Sequence, residues 1–276
     1  MHGNRPMDSF GNYLANIQTG ILVSSYGELG AAWSYPNVKD DFNRLYFMVD
    51  GRCRIRVNGL QLTPSAGHLI LLPAGADISA ESYNGERFAK YFCHFTAAIG
   101  GSRLFDLLHT SRSIEVRDTS LIEEQFQELN RHFSGTGITS ALRAKTALNL
   151  LLCYFIENNP TVTLHEYSHP SIQRMTHVLE YIDKHLADKL TVEDLAKLVH
   201  FHPHYFIPMF RTMMGCSPMQ YIAKLRFERA ATLLLSTKLN MNEIADYVGI
   251  HPEYFTKFFK HHGGVSPTEF RNCKFN

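Results

Sequence analysis

Polar side chains, most of them hydrogen-bond donors, recur at a fixed interval near the C-terminal end of this 276-residue chain. His202, His204 and Arg211 form one set, and His251, Glu253, Thr256, Lys257 and Lys260 form another. His202-Pro203 stands 49 residues before His251-Pro252, and Arg211 stands 49 residues before Lys260. Imidazoles, hydroxyls and cations mixed in this way donate to phosphate oxygens and to base edges, so the expected chemistry is recognition of double-stranded DNA. A third set lies far upstream. Lys90, Phe92 and His94 alternate along one strand-like run, and Arg44, Tyr46 and Met48 along another, while Trp33 and Tyr35 could stack on a sugar ring. Trp33, Arg44, Tyr46, Lys90, Phe92 and His94 are therefore the candidate lining of a small-molecule pocket. A satisfied core is the plainer reading of each.

Patterns for bond-breaking chemistry are missing. The chain has no nucleophile elbow, phosphate loop or paired-carboxylate motif. Between residues 20 and 98 the only histidines are His68 and His94, which form no H-x-H pair, and the turn Ala74-Gly75-Ala76-Asp77-Ile78 has none. That argues against a metal-dependent oxygenase or isomerase, which needs several such ligands at one centre. The five cysteines are scattered with no C-x-x-C spacing, so buried free thiols are expected, not disulfides or zinc. No enzymatic activity, metal or cofactor is expected.

The elements that must position the downstream donors are legible in the repeat. Without a gap, Ala196 matches Ala245, Val199 matches Val248, Tyr205-Phe206 matches Tyr254-Phe255, and Phe210 matches Phe259. Gly215 likewise matches Gly264, and Ser217-Pro218 matches Ser266-Pro267. Each copy reads as a short helix behind a cap (Thr191; Asn240 or Asn242), then a tight corner (His200; Gly249). A second helix follows, opening on proline and closing on glycine. Two short helices about such a corner form a helix-turn-helix unit. Tyr205, Phe206 and Phe210, or Tyr254, Phe255, Phe258 and Phe259, are expected to bury one stripe and leave the donor sets free. A long helix, Pro218–Leu235, joins the copies, and its Lys224, Arg226 and Arg229 are expected to support phosphate contacts. Holding the reading helices roughly 34 Å apart would let one chain read two successive major grooves.

Upstream, Ile21–Tyr26, Arg44–Val49, Arg52–Val57, Gly67–Leu72 and Lys90–Phe95 read as short strands between turn signals such as Asp50-Gly51 and Asn58-Gly59. Their near-even spacing suggests a small barrel or sandwich. Ser102–Leu108, Leu121–Phe133 and Thr139–Glu157 read as helices, the last two forming an apolar hairpin that must cover the barrel, a second protomer or both. Asn158–Pro170 is polar, aperiodic and the best linker. Residues 1–169 carry a net charge of −2, and residues 170–276 carry +3 with eight histidines, which hints at an anionic partner for the second half. No apolar run approaches a membrane span, and Met1–Gly11 lacks a signal pattern, so a cytoplasmic location is expected.

The stretch from Tyr205-Phe206 through Gly215-Cys216-Ser217-Pro218, Leu225-Arg226, Ile244-Ala245, Val248-Gly249, Tyr254-Phe255 and Gly264-Val265-Ser266-Pro267 strongly resembles the AraC/XylS regulators. The upstream segment, with Gly67-His68-Leu69, Leu72-Pro73-Ala74-Gly75 and Tyr91–Phe95, is similar to that family's cupin-like sensor domain. The resemblance implies an α+β chain: an N-terminal cupin-like β-barrel with a helical hairpin (1–158), a linker (159–170), and an all-α domain of two helix-turn-helix units (171–276). It further implies a homodimer, a sugar-like effector and, for an activator, contact with RNA polymerase. One position departs from the family. Pro208 sits where a polar or basic residue is usual, and its counterpart in the second copy is Lys257. Proline there removes a helix hydrogen bond and a reading side chain, and a kink is expected. The first copy should then position while the second reads.

Overall fold

Alternation in the upstream segment becomes two antiparallel sheets in the computed structural model, which describes residue 11 and residues 14–164 and 170–272. The strands are β1 Gln18–Leu29, β2 Ser34–Lys39, β3 Asn43–Asp50, β4 Cys53–Val57, β5 Leu60–Leu62, β6 His68–Leu72, β7 Asp77–Ser82 and β8 Phe88–Ile99. Shorter ones follow: β9 Ser102–Arg103, β10 Leu108–His109, β11 Ser113–Glu115 and β12 Thr163–Leu164. One sheet runs β1-β8-β3-β6-β11, with β9 added beside β8; the other runs β2-β7-β4-β5. Their inner faces share one core of Tyr46, Met48, Ile70, Leu72 and Phe88 against Cys53, Ile55, Val57, Ile78 and Ala80. Among the described residues no strand pairs across the two sheets. Packing of faces, not closure of edges, joins them, so two open sheets stand where a closed barrel was expected.

β3 is buried on both faces, and for that reason it carries the upstream candidates. Leu45 and Phe47 face one way, and Arg44, Tyr46 and Met48 the other. Cross-strand register sets Arg44 opposite His94, Tyr46 opposite Phe92, and Met48 opposite Lys90. Leu45 and Phe47 are covered by a helical hairpin. Helix α1 spans Leu104–Leu107; the hairpin itself is α2 Thr119–Phe133 and α3 Ser140–Glu157. Phe126 of α2 stacks with Phe47 and Tyr91, and Asn149 of α3 accepts a hydrogen bond from Thr19 at 3.0 Å. The outer side of α3 leaves Leu142, Leu150 and Cys153 exposed. Cys53 and Cys93 are buried as expected, whereas Cys153 is an exposed thiol; Cys273 lies outside the described residues.

The first part of the expected linker is tied to the sheet unit. Asn159 is buried, its amide donating to the Ser111 carbonyl at 2.9 Å and its oxygen accepting from the Ser111 N–H at 3.0 Å. β12 pairs with β10. Thus the chain to residue 164 is fastened to the sheet unit.

Helices make up the second unit: α4 Pro170–Lys184, α5 Val192–Leu198, α6 Pro203–Met214, α7 Pro218–Ser236, α8 Met241–Tyr247, α9 Pro252–Gly263 and α10 Pro267–Asn272. α7 is the shared spine. α6 packs on one part of it, and α8, α9 and α10 on another. Phe206 and Phe210 are fully buried in the first copy, Phe255 and Phe259 in the second. No helix among the described residues is long and apolar enough to cross a membrane.

Candidate nucleic-acid interface

The repeat holds down to individual hydrogen bonds. Thr191 and Asp194 form a reciprocal capping box at the start of α5, and Asn240 and Glu243 form the same box 49 residues on, at α8. The corners match as well. Phe201 N–H donates to the Ala196 carbonyl and Ile250 N–H to the Ala245 carbonyl, both at 2.9 Å. Each corner needs a residue with positive φ: His200 at 57° and Gly249 at 69°. The second helix of each copy, α6 or α9, opens on proline and ends at a left-handed glycine, Gly215 or Gly264.

Upon this frame every predicted contact residue is exposed: His202, His204 and Arg211 on α6, and His251, Glu253, Thr256, Lys257 and Lys260 on α9. His202 is partly committed, because its Nδ1 accepts the His204 N–H at 3.3 Å and caps α6. His251 makes no such cap and stands 3.9 Å from the Glu253 carboxylate. Tyr254, Lys257, Phe258, Lys260 and His261 line a shallow depression of about 540 Å³ on α9. Burial and the neighbouring His261 hold the His262 imidazole below its ordinary value, which keeps it neutral more readily.

Three expectations are corrected. Tyr205 and Tyr254, assigned to the buried stripe, are 77% and 64% exposed. Phe206 and Phe210 with Met213 and Met214 in α6, and Phe255 and Phe259 in α9, fill the core, so both tyrosines join the free face, and Phe258, also assigned to the stripe, is half-buried beside the α9 depression; the tyrosines' identical position in the repeat was the signal to notice. Arg226, expected near phosphates, instead donates to the Leu186 and Asp188 carbonyls at 3.0 and 2.7 Å, and Arg229 reaches Asp183 at 3.3 Å. Of the spine cations, Lys224 keeps only a loose, exposed pair with Glu228. Finally, α6 runs unbroken through Pro208. Proline there costs the bond to the His204 carbonyl on the exposed side, and the buried phenylalanine stripe keeps the helix continuous.

Residues 174–272 match the helix-turn-helix domain family known as HTH_18. Over 209 residues the chain is 27% identical to the helix-turn-helix transcriptional regulator YobQ of Bacillus subtilis, covering 73% of each. The chain is a transcriptional regulator with an AraC-type DNA-binding domain over residues 174–272. Other relatives are named as regulators of operons. The lactose operon transcription activator of Staphylococcus xylosus is 22% identical over 240 residues, covering 80% of this chain and 82% of the relative. The Msm operon regulatory protein of Streptococcus mutans is 26% identical over 225 residues, covering 78% of each. Among solved structures, the C-terminal domain of AraT, a response regulator from Geobacillus stearothermophilus, is 37% identical, with 36% of this chain and 84% of that one covered and a TM-score of 0.35. The three sequence relatives are all named as transcription regulators or operon regulatory proteins.

The upstream candidates of the AraC-type chain also converge. The Lys90 ammonium lies 3.6 Å from the centre of the Tyr46 ring, 4.9 Å from Trp33 and 5.9 Å from Phe92. Arg44, fully buried, donates to the Asp40 carboxylate and to the Tyr35 hydroxyl. His94 stacks on Phe42 with ring centres 5.0 Å apart. Burial, with Arg44 and Lys90 nearby, pushes His94 down to about 4, and burial brings Lys90 down to about 8. Among the described residues no three histidine, cysteine or acidic side chains converge on a metal position.

Proposed function

We propose that this AraC-type regulator is effector-responsive, binds DNA sequence-specifically and activates transcription. In this reading α6 and α9 enter two successive major grooves. His202, His204 and Arg211 position the first; His251, Glu253, Thr256, Lys257 and Lys260 read with the second; Tyr205 and Tyr254 add contacts at equivalent places. The observation that carries it is the duplicated frame, which sets two helices with exposed donors over identical caps, corners and buried phenylalanines.

The rest of the scheme follows the resemblance and the relatives. The sheet unit, through about residue 164, serves as a cupin-like sensor, and residues up to 170 link it to the DNA-binding unit. Two relatives regulate named operons, one of them for lactose, which favours a sugar-like small molecule as effector and activation as the outcome. Exposed Leu142 and Leu150 on α3 favour a homodimer formed there. An activator in the cytoplasm would also meet RNA polymerase.

Selection from a random double-stranded DNA pool at two salt concentrations tests the reading. Two enriched blocks about one helical turn apart, with affinity falling steeply in salt, are expected. A single enriched block would restrict reading to α9, and no enrichment with or without small molecules would overturn sequence-specific binding.

A further inference from the structure

Two buried cations meet one partly exposed carboxylate, Asp40, in the sheet unit, and the imbalance is informative. Arg44 is 0% exposed, and only its Nη2 is hydrogen-bonded, to Asp40 and to Tyr35; Nε and Nη1 are buried without a hydrogen-bond partner, and the guanidinium lies 4.6 Å from the centre of the Phe42 ring. Lys90 is 5% exposed and makes no ion pair among the described residues; its neighbours are the rings of Tyr46, Trp33, Phe88 and Phe92. The surrounding titratable groups do not balance the charge. Burial raises Tyr46 well above the usual tyrosine range and Cys53 to about 11, so both stay neutral, and His94 is neutral as well. At pH 7 Lys90 remains mostly protonated. The cluster therefore holds one positive charge more than it can pair, in a setting where unpaired charge is costly. Half-buried rings rim it: Trp33, Tyr35, Phe42, Phe92 and His94.

We propose that this cluster is the effector site and that the effector is a small organic anion. Its carboxylate or phosphate group would be held by the Lys90 ammonium and the free N–H groups of Arg44, with its organic body against the rings of Trp33 and Phe92. The assignment rests on the reading that the sheet unit takes an effector, and it narrows the chemistry of that effector. A neutral sugar asks for acceptors as well as donors, whereas this cluster offers donors and ring faces, and a sugar would leave the charge unpaired. An oxyanion removes the imbalance through charge-assisted hydrogen bonds.

The test is a thermal-shift and titration screen of the full chain against small metabolites in matched forms: glucose with gluconate and glucose 6-phosphate, benzyl alcohol with benzoate, and a wider library paired likewise. Inorganic phosphate alone is a control. At saturation an anionic member should raise the midpoint on the order of 5 °C while its neutral partner does not. Whether the responders are carboxylates or phosphates tells the two sources apart. In direct titration Lys90→Met should weaken the responder about tenfold or more, and Arg143→Met, an exposed arginine outside the cluster, should not. The wild-type comparison stands even if Lys90→Met fails to fold. A response to neutral members alone overturns the anion site and leaves the effector reading in place. An equal response to inorganic phosphate overturns the organic body. Silence from both series, with DNA binding unchanged by any member, overturns site and effector reading together.

Discussion

The two helix-turn-helix units share a frame and differ on its surface. Caps, proline starts, glycine ends and buried phenylalanines coincide at an interval of 49 residues. On the exposed face the copies differ at Ile207 against Thr256, Pro208 against Lys257, and Thr212 against His261. Buried positions are held by packing that tolerates little change, and exposed ones are free to specialise. The second unit thus presents Lys257, Lys260 and His261 where the first presents Pro208, Arg211 and Thr212. On the proposed reading, the duplicated frame would give one helix fit chiefly to position and one fit to read.

The largest test of this comparison falls on the corner, where the frame itself differs. His200 holds φ of 57° with a side chain that is exposed. Gly249 holds φ of 69°, but a Cβ there would stand 2.3 Å from the Ala187 carbonyl oxygen. Gly249→Ala should therefore cost about 3 kcal/mol through left-handed strain plus a backbone clash, whereas His200→Gly should change stability by less than about 1 kcal/mol. Urea unfolding followed by helical signal measures both. Equal costs would mean that the two corners are not built alike.

The surface difference predicts a smaller effect, on binding. Lys257→Ala should weaken binding to the selected DNA about tenfold and relax preference at nearby bases, while Ile207→Ala stays within about twofold. Titration against a panel of single-base variants gives both numbers. Equal losses would refute the division between a positioning helix and a reading helix, and Pro208 would lose its significance.

What the sequence made legible follows the same line between buried and exposed. The repeat located all four helices of the two units, because caps, prolines and glycines act through local backbone geometry. The spine cations were misread, since whether Arg226 meets a phosphate or the Leu186 carbonyl depends on a loop 38 to 40 residues away. The tyrosines were misread because an aromatic at helical spacing does not say whether two or three rings fill the core. Upstream, β3 and β8 declared themselves by alternation. β2, with Pro36, and β7, short and rich in alanine and serine, carried weak strand signals and were missed. Without them a closed barrel could not be told from two facing sheets. The convergence of Trp33, Arg44, Tyr46, Lys90, Phe92 and His94 was predictable from alternation, but the unpaired charge among them required the register of β3 on β8.

The smallest predicted effect lies in the caps that close each unit. Ser217 and Gln220 form a reciprocal box at the start of α7. In the second unit the Ser266 N–H donates to the Glu269 carboxylate at 2.8 Å, and the Glu269 N–H donates to the Ser266 hydroxyl at 3.3 Å. One box can titrate and the other cannot. Hydrogen bonds from the Ser266 side chain and backbone hold the Glu269 carboxyl below the usual glutamate range. A carboxylate whose folded value is depressed contributes stability that is full above its unfolded value and is lost as pH falls through the folded one. Acidification below the ordinary glutamate range of about 4.3 should therefore fray the start of α10 while leaving the start of α7 intact. Amide exchange at Ser266 and Glu269, against Ser217 and Gln220, is the measurement, and Glu269→Gln should make the second box as indifferent to acid as the first. If α7 frays at the same pH, the loss belongs to the whole unit, and the caps are not where the copies diverge in their response to protons.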